Sequence, residues 1–135
     1  MKPTAPAILA HRLAFGTGEP SPEMVEWLRR GLQRHLRGEA PLAVALELSS
    51  SACGSARNRA LRRAADLIAD GRGELPPLTL AKRLSAEMRR FERVMLRHVR
   101  DGLQPENPLD AALADAYIAD ASPPTSPRQL LRLLR

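Results

Sequence analysis

Cysteine, aromatic residues and lysine are all scarce in this chain of 135 residues. Cys53 is the single cysteine, so no disulfide can close within the chain, and a scaffold stapled by disulfides is excluded. The four aromatic residues, Phe15, Trp27, Phe91 and Tyr117, are 3% of the total. They leave the core to Leu, Ala, Val, Ile and Met, which suits packed helices better than a β-sandwich. They also supply no series of platforms on which single-stranded bases would stack. No apolar run approaches the roughly 20 residues that span a bilayer. The apolar patch Ala7-Ile8-Leu9-Ala10 is cut off by His11 and Arg12, and no small-residue cleavage site follows it. No membrane partner and no secretory signal are expected, and the lone thiol fits a reducing, cytoplasmic setting.

The sequence equally lacks the spacings that carry chemistry. There is no Gly-x-Gly-x-x-Gly, no phosphate loop, no His-x-x-x-His and no Cys-x-x-Cys. Cys53 stands in Ser49-Ser50-Ser51-Ala52-Cys53-Gly54 with no histidine near it in sequence. Of the three histidines, His35 and His98 fall on apolar or boundary faces of helices, where a hydrogen-bonded structural role is commoner than a catalytic one. Glu23 and Glu26 form an acidic pair at a helix start, where the helix dipole accounts for them. The expectation is a protein that is not an enzyme, with no cofactor, no metal and no small-molecule substrate.

What the chain has is positive charge and helical periodicity. Its formal net charge is +6, from 21 basic against 15 acidic residues. Such a field favours nucleic acid or an acidic protein as partner. Only Lys2 and Lys82 among the 21 are lysine. Arginine suits bidentate phosphate recognition, although a chain so rich in Ala, Arg, Leu and Pro also reads as the product of a GC-rich genome.

The pattern predicts an all-α fold, a compact bundle of five or six helices over residues 21–135, preceded by an N-terminal arm over 1–20. Within the arm, Ala5–Phe15 has the makings of a short helix that Gly16-Thr17-Gly18 would end. Ser21 caps and Pro22 opens the first full helix, which Gly38 stops. Met24, Val25, Trp27, Leu28, Leu32, His35 and Leu36 share its apolar side. A short helix from about Ala40 to Glu47 follows, then a serine-rich loop from Leu48 to Gly54. Ser55 caps a helix over Ala56–Ala69 that Gly71 terminates. The longest helix runs from about Leu78 to Arg100, with Gly102 just beyond. Its apolar stripe is Leu80, Ala81, Leu84, Met88, Phe91, Met95, His98 and Val99. Asn107 and Pro108 start an acidic helix that reaches about Ala119 and carries Asp110 and Asp115, with Asp120 at its end. Ser126-Pro127-Arg128-Gln129 has the form of a capping box for a last helix, Arg128 to about Leu134. Trp27, Leu28, Leu84, Met88, Phe91 and Leu113 are the expected core.

The functional reading rests on two arginine faces. The long helix carries Lys82, Arg83, Arg89, Arg90, Arg93, Arg97 and Arg100 opposite its apolar stripe. Like charges at these spacings repel, so a purely structural surface would mix signs more thoroughly. The helix over Ala56–Ala69 adds Arg57, Arg59, Arg62 and Arg63. Arg57, Asn58 and Arg59 in its first turn would suit phosphates and base edges. Two helix-turn-helix pairings are conceivable, Ala40–Glu47 with Ala56–Ala69, and Pro108–Ala119 with Arg128–Leu134. The expected nucleic-acid-binding residues are Arg57, Arg59, Arg62, Arg63, Arg83, Arg89, Arg90, Arg93 and Arg97, in a small regulatory, DNA-binding protein that could act as a homodimer. The competing readings are a protein-interaction module or inhibitor that docks on an acidic partner, and a basic face neutralised internally by the acidic helix.

Overall fold

The computed structural model describes residues 4–16, 18–70 and 75–135. Among them the secondary structure is entirely helical: α1 Pro6–Phe15, α2 Pro22–Leu36, α3 Leu42–Ala45, α4 Ser50–Ala69, α5 Pro77–Val94, α6 Leu96–Arg100, α7 Pro108–Ala119 and α8 Pro127–Leu134. Proline occupies the first turn of α1, α2, α5, α7 and α8, where its missing N–H costs nothing. Side chains of Ser21, Ser49, Asn107 and Ser126 accept from free N–H groups at the starts of α2, α4, α7 and α8. At Ser126 the hydroxyl also donates to Gln129 Oε1, 3.1 Å away. Gly38 and Gly102, with φ of 76° and 108°, end α2 and α6 in the left-handed conformation. Each turn closes with the paired carbonyl contacts of a Schellman motif.

The main core is drawn from α4 to α8. Phe91, Leu61, Leu84, Met88, Leu113, Leu130 and Val99 are its largest fully buried side chains. The α4 and α7 helices lie against each other, and small buried residues let them approach: Ala60 and Ala64 on one side, Ala112 and Ala116 on the other. α8 lies along α5 and also touches α4, with Leu130 as its buried anchor. The hydroxyl of Ser85, buried in α5, donates to the Thr125 carbonyl at 2.6 Å and fastens the turn ahead of α8. Phe91 stacks on Tyr117 with ring centroids 5.3 Å apart, joining α5 to α7.

Four features of the chain differ from the sequence expectation. First, α4 begins at Ser50, and residues read as a serine-rich loop form its opening turns. Ser49 Oγ accepts from Ala52 N and supplies the cap that had been assigned to Ser55. Gly54 is helical, a conformation open to any residue. Arg57 and Arg59 therefore sit well inside the helix and away from its N-terminal N–H groups. The stop expected at Gly71 lies outside the described residues. Second, the long helix bends at Met95, where φ is −113°. No proline or glycine marks the bend, and hydrogen bonds from Met95 N to Phe91 O and from Val99 N to Met95 O bridge it. It directs Val99 into the core and leaves His98 exposed. Third, neither helix-turn-helix pairing forms. α3 is a single turn, and α8 packs on α5 rather than pairing with α7.

The fourth difference is at α2. Trp27 and Gly31 are the residues it buries, against α3. The Trp27 indole N–H donates to Leu46 O at 2.9 Å, and a Cβ on Gly31 would lie 2.3 Å from Leu46 Cδ2. Leu28 is half-buried, while Val25, Leu32, His35 and Leu36 remain exposed. The apolar stripe is real, but one edge of it alone is covered.

Within the first 20 residues, α1 packs on α7 and α2 and buries Ile8 and Leu9. The His11 and Phe15 rings of this helix lie tilted against each other with centroids 4.8 Å apart, and His11 Nε2 is buried without a hydrogen-bond partner among the described residues. Burial holds the imidazole below its ordinary value of 6.5. A neutral His11 is thus favoured by folding. Its contribution is complete above pH 6.5 and is lost as pH falls through the lower folded-state value. We expect amide-exchange protection of Ile8 and Leu9 to fall between pH 7.5 and pH 5, with α4 amides unaffected. Equal protection at both pH values would refute this.

Candidate nucleic-acid interface

Four of the expected site arginines bond within the fold. Arg57 donates to Asp120 Oδ2 at 2.8 Å and Arg63 to Asp115 Oδ2 at 2.8 Å. Arg90 is held by Asp110 at 2.6 Å and by Glu87 at 2.8 Å. The acidic α7 thus lies between α4 and α5 and takes one arginine from α5 and two from α4. Arg62 Nε donates to Leu133 O at 3.3 Å, which ties α4 to the end of α8 but leaves the cation without a carboxylate. For Arg90, the sequence reading of a long-helix face neutralised by the acidic helix is what the geometry gives; the pairing of Arg57 and Arg63 with Asp120 and Asp115 was not part of that reading.

The pairing shifts the acids as their surroundings dictate. Burial pushes Asp115 above its ordinary value, and Arg63 offsets this in part. Burial would also raise Asp120, but the Arg57 guanidinium and the Ser122 amide outweigh it and hold that carboxyl low. Hydrogen bonds to Asp110 and then Glu87 hold Arg90 above its usual value. Burial, together with the Glu92 carboxylate at 2.5 Å, pushes the Tyr117 phenol upward.

The remaining cations gather around α8. Lys82, Arg89 and Arg93 line a groove on α5 whose far wall is Pro127, at the start of α8. Lys82 to Arg93 covers about 16 Å along the helix axis. At the other end of α8, Leu133 meets Arg62, and Arg59 lines a cleft with Arg62 and Arg63 beneath α1. Arg128 and Arg132 project from α8 itself and are exposed. α8 has no acidic residue. Cations thus stand on three packed helices: Lys82, Arg89 and Arg93 on α5 beside the start of α8, Arg128 and Arg132 on α8, Arg62 on α4 at the end of α8, and Arg59 on α4 in the cleft beneath α1. No carboxylate among the described residues lies within ion-pair distance of any of these seven. Asp66 and Asp115 border the α4 end of the surface.

Arg83 and Arg97 stand apart. Arg83 lines a separate depression with Asp70, Glu87 and Leu109. Arg97 is exposed beyond the Met95 bend. Conversely, Arg128 and Arg132 belong to the surface although the sequence reading left them out of the site.

Among the described residues, no three His, Cys, Asp or Glu side chains are grouped to hold a metal ion, and no helix is long and apolar enough to cross a membrane. Comparison with protein-family models, curated proteins and solved structures finds no match to this chain.

Proposed function

We propose that the protein is a small, non-catalytic nucleic-acid-binding protein, regulatory in role, that grips a duplex through the basic surface centred on α8. The observation that carries this reading is the presence of Lys82, Arg89, Arg93, Arg128, Arg132, Arg62 and Arg59 on three packed helices, none within ion-pair distance of a carboxylate among the described residues. Scattered cations, each matched to a local acid, would instead suit an acidic protein partner, and Arg57, Arg63 and Arg90 answer to that description. The unmatched ones do not. A guanidinium-rich surface with no aromatic platform suits the phosphate backbone better than unstacked bases. Contacts of this kind position a protein on a duplex without specifying its sequence.

The test is equilibrium binding to mixed-sequence duplex DNA across a salt series. Each neutralised phosphate releases condensed counterion, so log affinity should fall linearly with log salt, by about 0.9 per contact on B-DNA. Replacing Arg89 and Arg93 by Gln should flatten that slope by up to about two units, with little change in melting temperature. Absence of wild-type binding to duplex DNA or RNA at low salt would direct the search to an acidic protein.

A further inference from the structure

The exposed stripe of α2 is a different feature, on a helix packed against α1 and α3 and remote in sequence from the α8 surface. Val25, Leu28, Leu32 and Leu36 follow one another at spacings of 3, 4 and 4, the repeat of a helix–helix seam. Yet Val25 is 40% exposed, Leu32 44% and Leu36 80%, and Leu36 is the most exposed large apolar side chain among the described residues. We propose that this stripe is the interface of a two-fold homodimer in which the α2 helices of two copies pack antiparallel.

The charge pattern of α2 selects both the occupant and the orientation. The outer flank beside the stripe reads Glu26, Arg29, Gln33, Arg37, with spacings of 3, 4 and 4. Its acid lies toward the start of the helix and its outermost cation at the end. A two-fold axis near residues 30–31 sets Val25 against Leu36 of the second copy and Leu28 against its Leu32. The same operation brings Glu26 toward Arg37 of the second copy, twice over, because the interface is isologous. A parallel arrangement would place the two copies' Glu26–Arg37 flanks on opposite sides of the seam, where this exchange cannot form. Glu26 is free to exchange partners. Its contacts with Arg29 and Arg30 are both 3.8 Å long, between side chains more than half exposed, and such pairs contribute little. Trp27 and Gly31, facing α3, hold α2 in place so that the stripe is presented on a fixed helix.

The experiment is sedimentation equilibrium of the full chain over a concentration series, with far-UV circular dichroism of every variant. The wild type is expected to dimerise. Leu36→Ser, at a position with almost no packing to lose, should weaken dimerisation at least tenfold with helix content unchanged. Leu32→Glu should abolish it. Glu26→Arg alone should weaken association, and Glu26→Arg combined with Arg37→Glu should restore it. A wild type that stays monomeric up to about 1 mM overturns the proposal and leaves the stripe to another protein. A dimer indifferent to Leu36→Ser and Leu32→Glu also overturns it. Failure of the double reversal to rescue overturns the antiparallel pairing. None of these outcomes depends on nucleic acid, so the dimer and the basic surface stand or fall separately.

Discussion

Replacing Phe91 by alanine should remove about 3–5 kcal/mol of unfolding free energy. Phe91 is fully buried in the last turn of α5 and stacks on Tyr117 of α7. Truncation forfeits the transfer energy of the ring and leaves a cavity that its neighbours, Leu84, Met88 and Leu113, are already too closely packed to refill. For a domain whose total stability is about 5–15 kcal/mol, the loss is a third or more, and the variant should unfold at markedly lower urea. Val94→Ala, in the last turn of the same helix but 57% exposed, is the control and should change stability by less than about 0.5 kcal/mol. A cost below about 1 kcal/mol for Phe91→Ala would mean that the α5 stripe does not organise the core.

Replacing Arg57, Arg63 and Arg90 together by glutamine should lower stability by roughly 3 kcal/mol, while the salt slope of nucleic-acid binding keeps its wild-type value. Each substitution leaves a carboxylate short of its strongest partner, and Asp110, Asp115 and Asp120 side chains are only 16%, 21% and 28% exposed. About 1 kcal/mol each is the appropriate scale, because the arginines themselves reach solvent. The acid limb offers a check of sign. Asp120 has a lowered folded-state value, so its contribution is present above its unfolded value of 3.8 and is lost as pH falls through the folded one. Removing Arg57 should flatten this part of the stability profile. Thermal melts at pH 7 and pH 3 would show it. If the triple variant instead stays stable and loses nucleic-acid binding, the division between paired and unpaired arginines is wrong.

Much of the helical plan was legible because it is local. Ser21-Pro22, Asn107-Pro108 and Ser126-Pro127 carry both a cap and a prearranged first turn, and all three starts fall where those pairs place them. The start of α4 was misread because Ser49 and Ser55 are equally good caps in sequence, and Gly54 resembles a loop residue until the helix around it is known. The bend at Met95 has no sequence mark at all. It answers to the packing of Val99, which a helical wheel cannot supply. The same limit applies to the site. Periodicity showed that Arg63 and Arg93 both lie off the apolar stripe, but not that Arg63 meets an acid 52 residues away while Arg93 meets none within the described residues. Likewise, amphipathicity identified the stripe of α2 without revealing that α3 would cover Trp27 and Gly31 in preference to Leu32 and Leu36.

Lys82 gives the basic groove a chemical identity of its own. Lys2 and Lys82 are the only lysines, so reagents aimed at primary side-chain amines act at one point on the α8 surface and nearly nowhere else. Arginine neighbours are untouched by such acylation, and the guanidinium field of Arg89 and Arg93 survives it. The rate at which Lys82 is acylated, read separately from that of Lys2, therefore reports whether the groove beside Pro127 is covered, with no residue substituted.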